Sequence, residues 1–128
     1  MGTQIEIDEN SFALLDKYCN ELVRPAVMGA VLGRVLEAWY AQAAKEWAKD
    51  RNLIPKLPKV PEGITQGVDI NSEDARIFLT TLKKLNEKTG LEINPASLAS
   101  WLVGLFIKMY DIKKKSKYKI KMGMLKKG

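Results

Sequence analysis

The arrangement of apolar and polar positions along the chain changes period several times, and each change marks an element. Gln4-Ile5-Glu6-Ile7-Asp8 alternates strictly, as a half-buried strand does. From Ser11 to Leu22 the apolar residues Phe12, Leu15, Tyr18 or Cys19, and Leu22 recur at helical spacing, with Asn10 or Ser11 placed to cap the start. Pro25 suits the first turn of a second helix, where no N–H is needed, and that helix reaches about Lys49. Its stripe is Met28, Leu32, Val35, Leu36, Trp39, Ala43 and Trp47, opposite Arg34, Glu37, Lys45 and Lys49. A linker over 50–71 contains Pro55, Pro58, Pro61, Gly63 and Gly67, which exclude a helix and leave room for a short strand at 67–71.

A third helix begins at Asn71 or Ser72 with Glu73 and Asp74 near the positive end of its dipole. Ala75, Phe78, Leu82 and Leu85 face inward, Arg76, Lys83, Lys84 and Lys88 outward, and Gly90 supplies the stop. The fourth helix opens at Asn94-Pro95 and runs to about Lys113. It is apolar almost all round, and a helix of that kind lies at the centre of a core or meets a partner. In so short a chain this predicts self-association or a larger assembly, with Trp101, Val103, Phe106 and Ile107 as the partner interface. Of the aromatic residues, Trp47 and Tyr118 are expected to be the most exposed.

The C-terminal segment alternates again. In Lys117-Tyr118-Lys119-Ile120-Lys121-Met122 every second residue is lysine, which predicts a strand pairing with the N-terminal one, Ile5 and Ile7 facing Tyr118 and Ile120. The expected fold is therefore mostly α, a compact bundle of four main helices with a small strand pair formed by the N- and C-terminal segments. It divides into a helical body, 1–111, and a lysine-rich segment, 112–128. Within the body, residues 5–40 and 68–110 are similar. Leu32 aligns with Leu102, Val35 with Leu105 and Leu36 with Phe106.

Charge sharpens the functional reading. The chain of 128 residues has 21 basic and 15 acidic groups, net +6. Eight lysines and no acid lie between Ile112 and Gly128, so the body, with 13 basic and 15 acidic groups, is slightly negative. This asymmetry predicts an anionic partner. The expected contacts with phosphate are Lys113, Lys114, Lys115, Lys117, Lys119 and Lys121, with Arg76, Lys83, Lys84 and Lys88 as a second face. With no histidine and one cysteine, Cys19, there is no Ser-His-Asp triad, no Cys-His pair and no multi-cysteine metal site. A non-catalytic protein without cofactor or small-molecule substrate is expected. The longest uncharged stretch, 93–107, is short of the about 20 residues a membrane span needs, and no signal peptide pattern opens the chain, so a cytoplasmic location is expected.

Two resemblances follow. The strand-helix-helix segment at 4–40, repeated more loosely at 66–110, resembles the ribbon-helix-helix family of DNA-binding regulators. That resemblance implies a tandem arrangement whose alternate strand residues, here Gln4, Glu6, Asp8, Asp69 and Asn71, face the major groove, although such readers normally carry Arg, Lys, Asn or Gln there. The size, helicity and outward lysines are also similar to the small helical subunits of CRISPR interference complexes. That likeness implies a non-catalytic antiviral-defence subunit that steadies DNA or RNA in a ribonucleoprotein complex without reading sequence. The expected function is this assembly subunit, contacting phosphate backbones through lysines without sequence specificity; the ribbon-helix-helix-like regulator is the alternative, and a helical protein-protein adaptor with a solvated tail the further one.

Overall fold

A computed structural model of the chain describes residues 2–22, 24 and 26–127, with side chains described as far as residue 111. The N-terminal alternation forms strand β1 (Gly2–Asp8), with Ile5 and Ile7 buried and Gln4 and Glu6 exposed. Helix α1 (Glu9–Glu21) follows at once. Its cap is Asp8 rather than Asn10 or Ser11: Asp8 Oδ1 accepts from the Ser11 N–H at 2.7 Å. The second helical stretch comprises α2 (Met28–Ala38), a π-helical turn (Trp39–Ala43) and α3 (Ala44–Lys49). A 3₁₀ turn at Arg51–Leu53 opens the linker, and strand β2 spans Thr65–Asn71. Helix α4 (Ser72–Thr89) is capped by Asn71, which accepts from the Glu73 and Asp74 N–H groups, and ends on Gly90 at φ 74°. Helix α5 (Pro95–Lys127) is capped by Asn94.

The strand pair exists, but its partners differ from those expected. β1 pairs antiparallel with β2, Ile5 opposite Val68 and Gln4 opposite Asp69. Residues 117–122 belong to α5, which continues past Lys113 to Lys127. The physical reason is that β2 offers the same alternation, Val68 and Ile70 inward against Asp69 and Asn71 outward. Pairing with β2 completes one apolar face over the core.

The chain thus runs strand, helix, helix twice, and the halves interlock. α2 lies on β2 and α5 lies on β1, while α1 packs on α5 and α4 on α2. Ile5, Ile7, Asp8, Leu15 and Cys19 correspond at constant spacing to Val68, Ile70, Asn71, Phe78 and Leu82. The Ile5–Val68 pair is therefore its own counterpart and marks a pseudo-twofold axis through the ribbon. Each second helix completes the core of the other half, so neither half buries its apolar residues alone. The linker length follows from this arrangement. Residues 28–49 carry the chain roughly 33 Å along their helix, and the 15 residues of 50–64 reach about 50 Å when extended, enough to return to the ribbon. The Glu9 N–H bonds the Ile64 carbonyl at 3.0 Å where the linker arrives.

Gly29 lets α2 approach a strand closely. A Cβ at Gly29 would lie 1.8 Å from the Asp69 carbonyl oxygen, so α2 sits directly on the β2 backbone. On the other side of the axis α5 is held by a hydrogen bond: the Asp8 N–H donates to Ser100 Oγ at 2.8 Å, and Ser11 Oγ donates to the Ser100 carbonyl.

Trp47 is buried, 7% exposed, contrary to expectation. Eight residues along an unbroken α-helix would set Trp39 and Trp47 about 80° apart. The π turn, in which the Ala44 N–H reaches the Trp39 carbonyl, absorbs one residue and brings both indoles to one side. Their rings meet edge to face at 5.7 Å, and Trp39 also meets Phe78 at 5.5 Å.

Candidate nucleic-acid interface

The outward face of the ribbon is polar and narrow. Gln4, Glu6, Asp69 and Asn71 are exposed on it, and Gly67 lies beneath the Gln4 and Glu6 side chains. Asp8 does not belong to this face. It is half-buried and its carboxylate is committed to capping α1. Of the four remaining groups Asn71 also gives its Oδ1 to the cap of α4, and all four stand on a rigid scaffold, because Ile5, Val68 and Ile70 anchor the opposite side of the same strands in the core. Beside the ribbon, α2 follows Val27 without a side-chain cap, whereas α1, α4 and α5 each have one.

The cations on the helices separate into engaged and open groups. Arg76 is engaged: its guanidinium donates twice to Glu73, at 2.6 and 3.2 Å, which holds the Glu73 carboxyl below its ordinary range. This weakens Arg76 as a phosphate contact. Lys83, Lys84 and Lys88 are exposed and have no acid within ion-pair distance among the described residues. Lys84 and Lys88 do not stand on a bare helix face. With Thr81 and Leu85 they form one wall of a groove of about 250 Å³, and Tyr40, Ala44, Lys45 and Ala48 form the other. Sequence reasoning placed Lys45 on an outer face but did not join it to α4, since only the packing of α3 on α4 makes them neighbours. Lys113, Lys114, Lys115, Lys117, Lys119 and Lys121 lie outside the residues whose side chains are described, as does Tyr118.

The four residues expected to meet a partner fall in three places. Val103 is fully buried in the core and is unavailable to a partner, because β1 and α1 of the other half cover that side of α5. Ile107 is half-buried and turns toward Tyr18 and Tyr110. Trp101 and Phe106 line an apolar groove of about 410 Å³ between the second helices of the two halves. Val35 and Leu105, equivalent positions, both line it, as do Trp39 and Met109; Leu105 and Met109 remain 43% and 51% exposed.

Three titratable groups are shifted by their surroundings. Burial pushes the Tyr40 hydroxyl up to about 12, helped by its 2.9 Å hydrogen bond to Asp74 and the charges of Asp74, Glu37 and Glu73. Burial, then Asp16, raises the Cys19 thiol, which makes it a poor nucleophile. Burial, then Tyr110, raises Tyr18. Among the described residues no group of histidine, cysteine or carboxylates is placed to hold a metal ion, and no helix is long and apolar enough to cross a membrane. No model of a known family, no curated protein and no solved structure matches the chain.

Proposed function

We propose that this chain is a non-catalytic, duplex-DNA-binding protein that presents in one polypeptide what a ribbon-helix-helix dimer presents in two. The observation that carries this reading is the antiparallel β1–β2 ribbon on a pseudo-twofold axis, with each second helix crossed onto the other half. A two-stranded ribbon fits the major groove of B-DNA. Gln4 has the paired donor and acceptor that match adenine, Asn71, whose Oδ1 caps α4, offers a base edge only its amide N–H donors, and Glu6 and Asp69 can accept from the amino group of cytosine. Two carboxylates near phosphates are repelled, so attraction has to come from elsewhere. The eight lysines between residues 112 and 128 supply it without sequence preference.

The test is selection of bound duplexes from a random pool, followed by titration of the selected sequence against a scrambled one. Discrimination of at least about a thousandfold, lost in the Gln4→Ala variant, is the expected result. Equal affinity for both duplexes would reject sequence reading by the ribbon.

A second reading, a subunit of a larger nucleoprotein assembly that binds without sequence preference, is favoured by the apolar groove at Trp101, Leu105, Phe106 and Met109. Its expected signature is a protein that co-purifies with other proteins and nucleic acid and binds scrambled duplexes as well as any other. An adaptor would show no salt-dependent retention on nucleic acid.

A further inference from the structure

We propose that the groove between α3 and α4 is a second nucleic-acid site, one that takes a single-stranded segment rather than the duplex held by the ribbon. It rests on the nucleic-acid reading above but on a different surface. Lys84 and Lys88 stand one turn apart on α4, about 6 Å along the axis, and Lys45 faces them from α3. No carboxylate lines the groove. The acids on the same elements lie off it: Glu46 is turned to Lys49 at 3.8 Å, Glu87 is exposed beside Lys88, and Glu37, Glu73 and Asp74 gather about the Tyr40 hydroxyl at one end.

The floor between these cations is apolar, made by Ala44, Ala48, Leu85 and the Tyr40 ring, and Thr81 adds a hydroxyl at its edge. Tyr40 is held in place by its bond to Asp74. Cations around an apolar floor with one fixed aromatic ring suit the phosphates and base faces of an unpaired strand. The volume of about 250 Å³ lies just below the roughly 300–1,000 Å³ of small-molecule pockets. The π turn contributes to the site: it sets Trp39 toward the apolar groove while the adjacent Tyr40 lines this one.

The experiment measures binding of the full chain to an oligo-dT strand and to a duplex over a range of salt. Compared with wild type, the Lys45→Gln/Lys84→Gln/Lys88→Gln variant should lower the log–log salt slope for the single strand by about 2, as loss of three phosphate contacts at about 0.7 each requires. Ala48→Glu, which removes no lysine, should weaken the same binding, and circular dichroism should show both variants folded. Lys17→Gln, whose lysine lies outside the groove and pairs with Glu21, should leave the slope unchanged. An unaltered slope and affinity in the triple variant would overturn the site while leaving the ribbon reading intact. Failure of the ribbon variant to change duplex discrimination would sink the ribbon reading and not this one. No retention of either oligonucleotide by the wild-type chain at low salt would overturn both.

Discussion

Gly29 shows how much one missing methyl group decides in this molecule. The backbone of α2 lies so close to the Asp69 carbonyl that alanine at this position has nowhere to put its Cβ, and the opposing atom is backbone that cannot rotate away. Gly29→Ala should therefore cost about 3 kcal/mol or more, the upper end for overpacking, read as a lowered urea midpoint with unchanged m-value. Tyr40 carries a different kind of dependence. Its hydroxyl is held protonated in the folded chain up to about 12, against about 10 for an ordinary tyrosine. The stability this contributes is fully present below pH 10 and disappears as the pH rises toward 12, since the unfolded chain ionises first. The Tyr40→Phe variant should lose stability less steeply than wild type across that window, measured by thermal unfolding at matched ionic strength.

At the scale of elements, the two halves solve the same problem with different chemistry. Each strand must hand over to a helix at once, so its last residue serves as the cap: Asp8 for α1 and Asn71 for α4. Replacing Asp8 by alanine should cost about 1 kcal/mol, and by asparagine much less. Beside that cap, Ser100 receives the Asp8 N–H. Ser100→Ala should destabilise by about 1–3 kcal/mol, because it leaves that part-buried donor without a partner. Hydrogen exchange at the Asp8 amide is the specific readout, and it should speed up in the variant. Most of these elements were legible beforehand. Alternation at Ile5 and Ile7, helical spacing at Ala75, Phe78, Leu82 and Leu85, and the Asn94-Pro95 start each state a local preference that packing did not override. The π turn was not legible, because its cause is the fit of Trp39 and Trp47 to rings contributed by other elements.

For the whole molecule, the interlocking of the halves decides what is dispensable. Since β1 finds its hydrogen bonds in β2, deleting residues 116–128 should leave the thermal midpoint nearly unchanged. The same deletion should reduce the salt dependence of nucleic-acid binding by several contacts. A strand pair formed with residues 117–122 would have predicted the opposite, a large loss of stability. The interlocking also accounts for the apolar excess on the fourth helix. Val103, expected to meet a partner, is buried together with Leu98 on a helix that packs against the strand and first helix of the other half. What remains open, around Leu105 and Met109, is a groove on the pseudo-twofold axis.

Local periodicity was enough to place β1, β2 and the cores of the helices, because inward and outward residues repeat with the geometry of the element itself, but the alternation at 117–122 lies in α5. The concentration of lysine at one end, and the absence of histidine, were likewise plain from the sequence. Which strand meets which, and which lysines share a groove, depended on contacts between residues tens of positions apart. Two alternating segments competed for β1, and their local patterns were equally good. The choice fell to β2 because only that pairing lets each second helix cross over and bury the other half's apolar face.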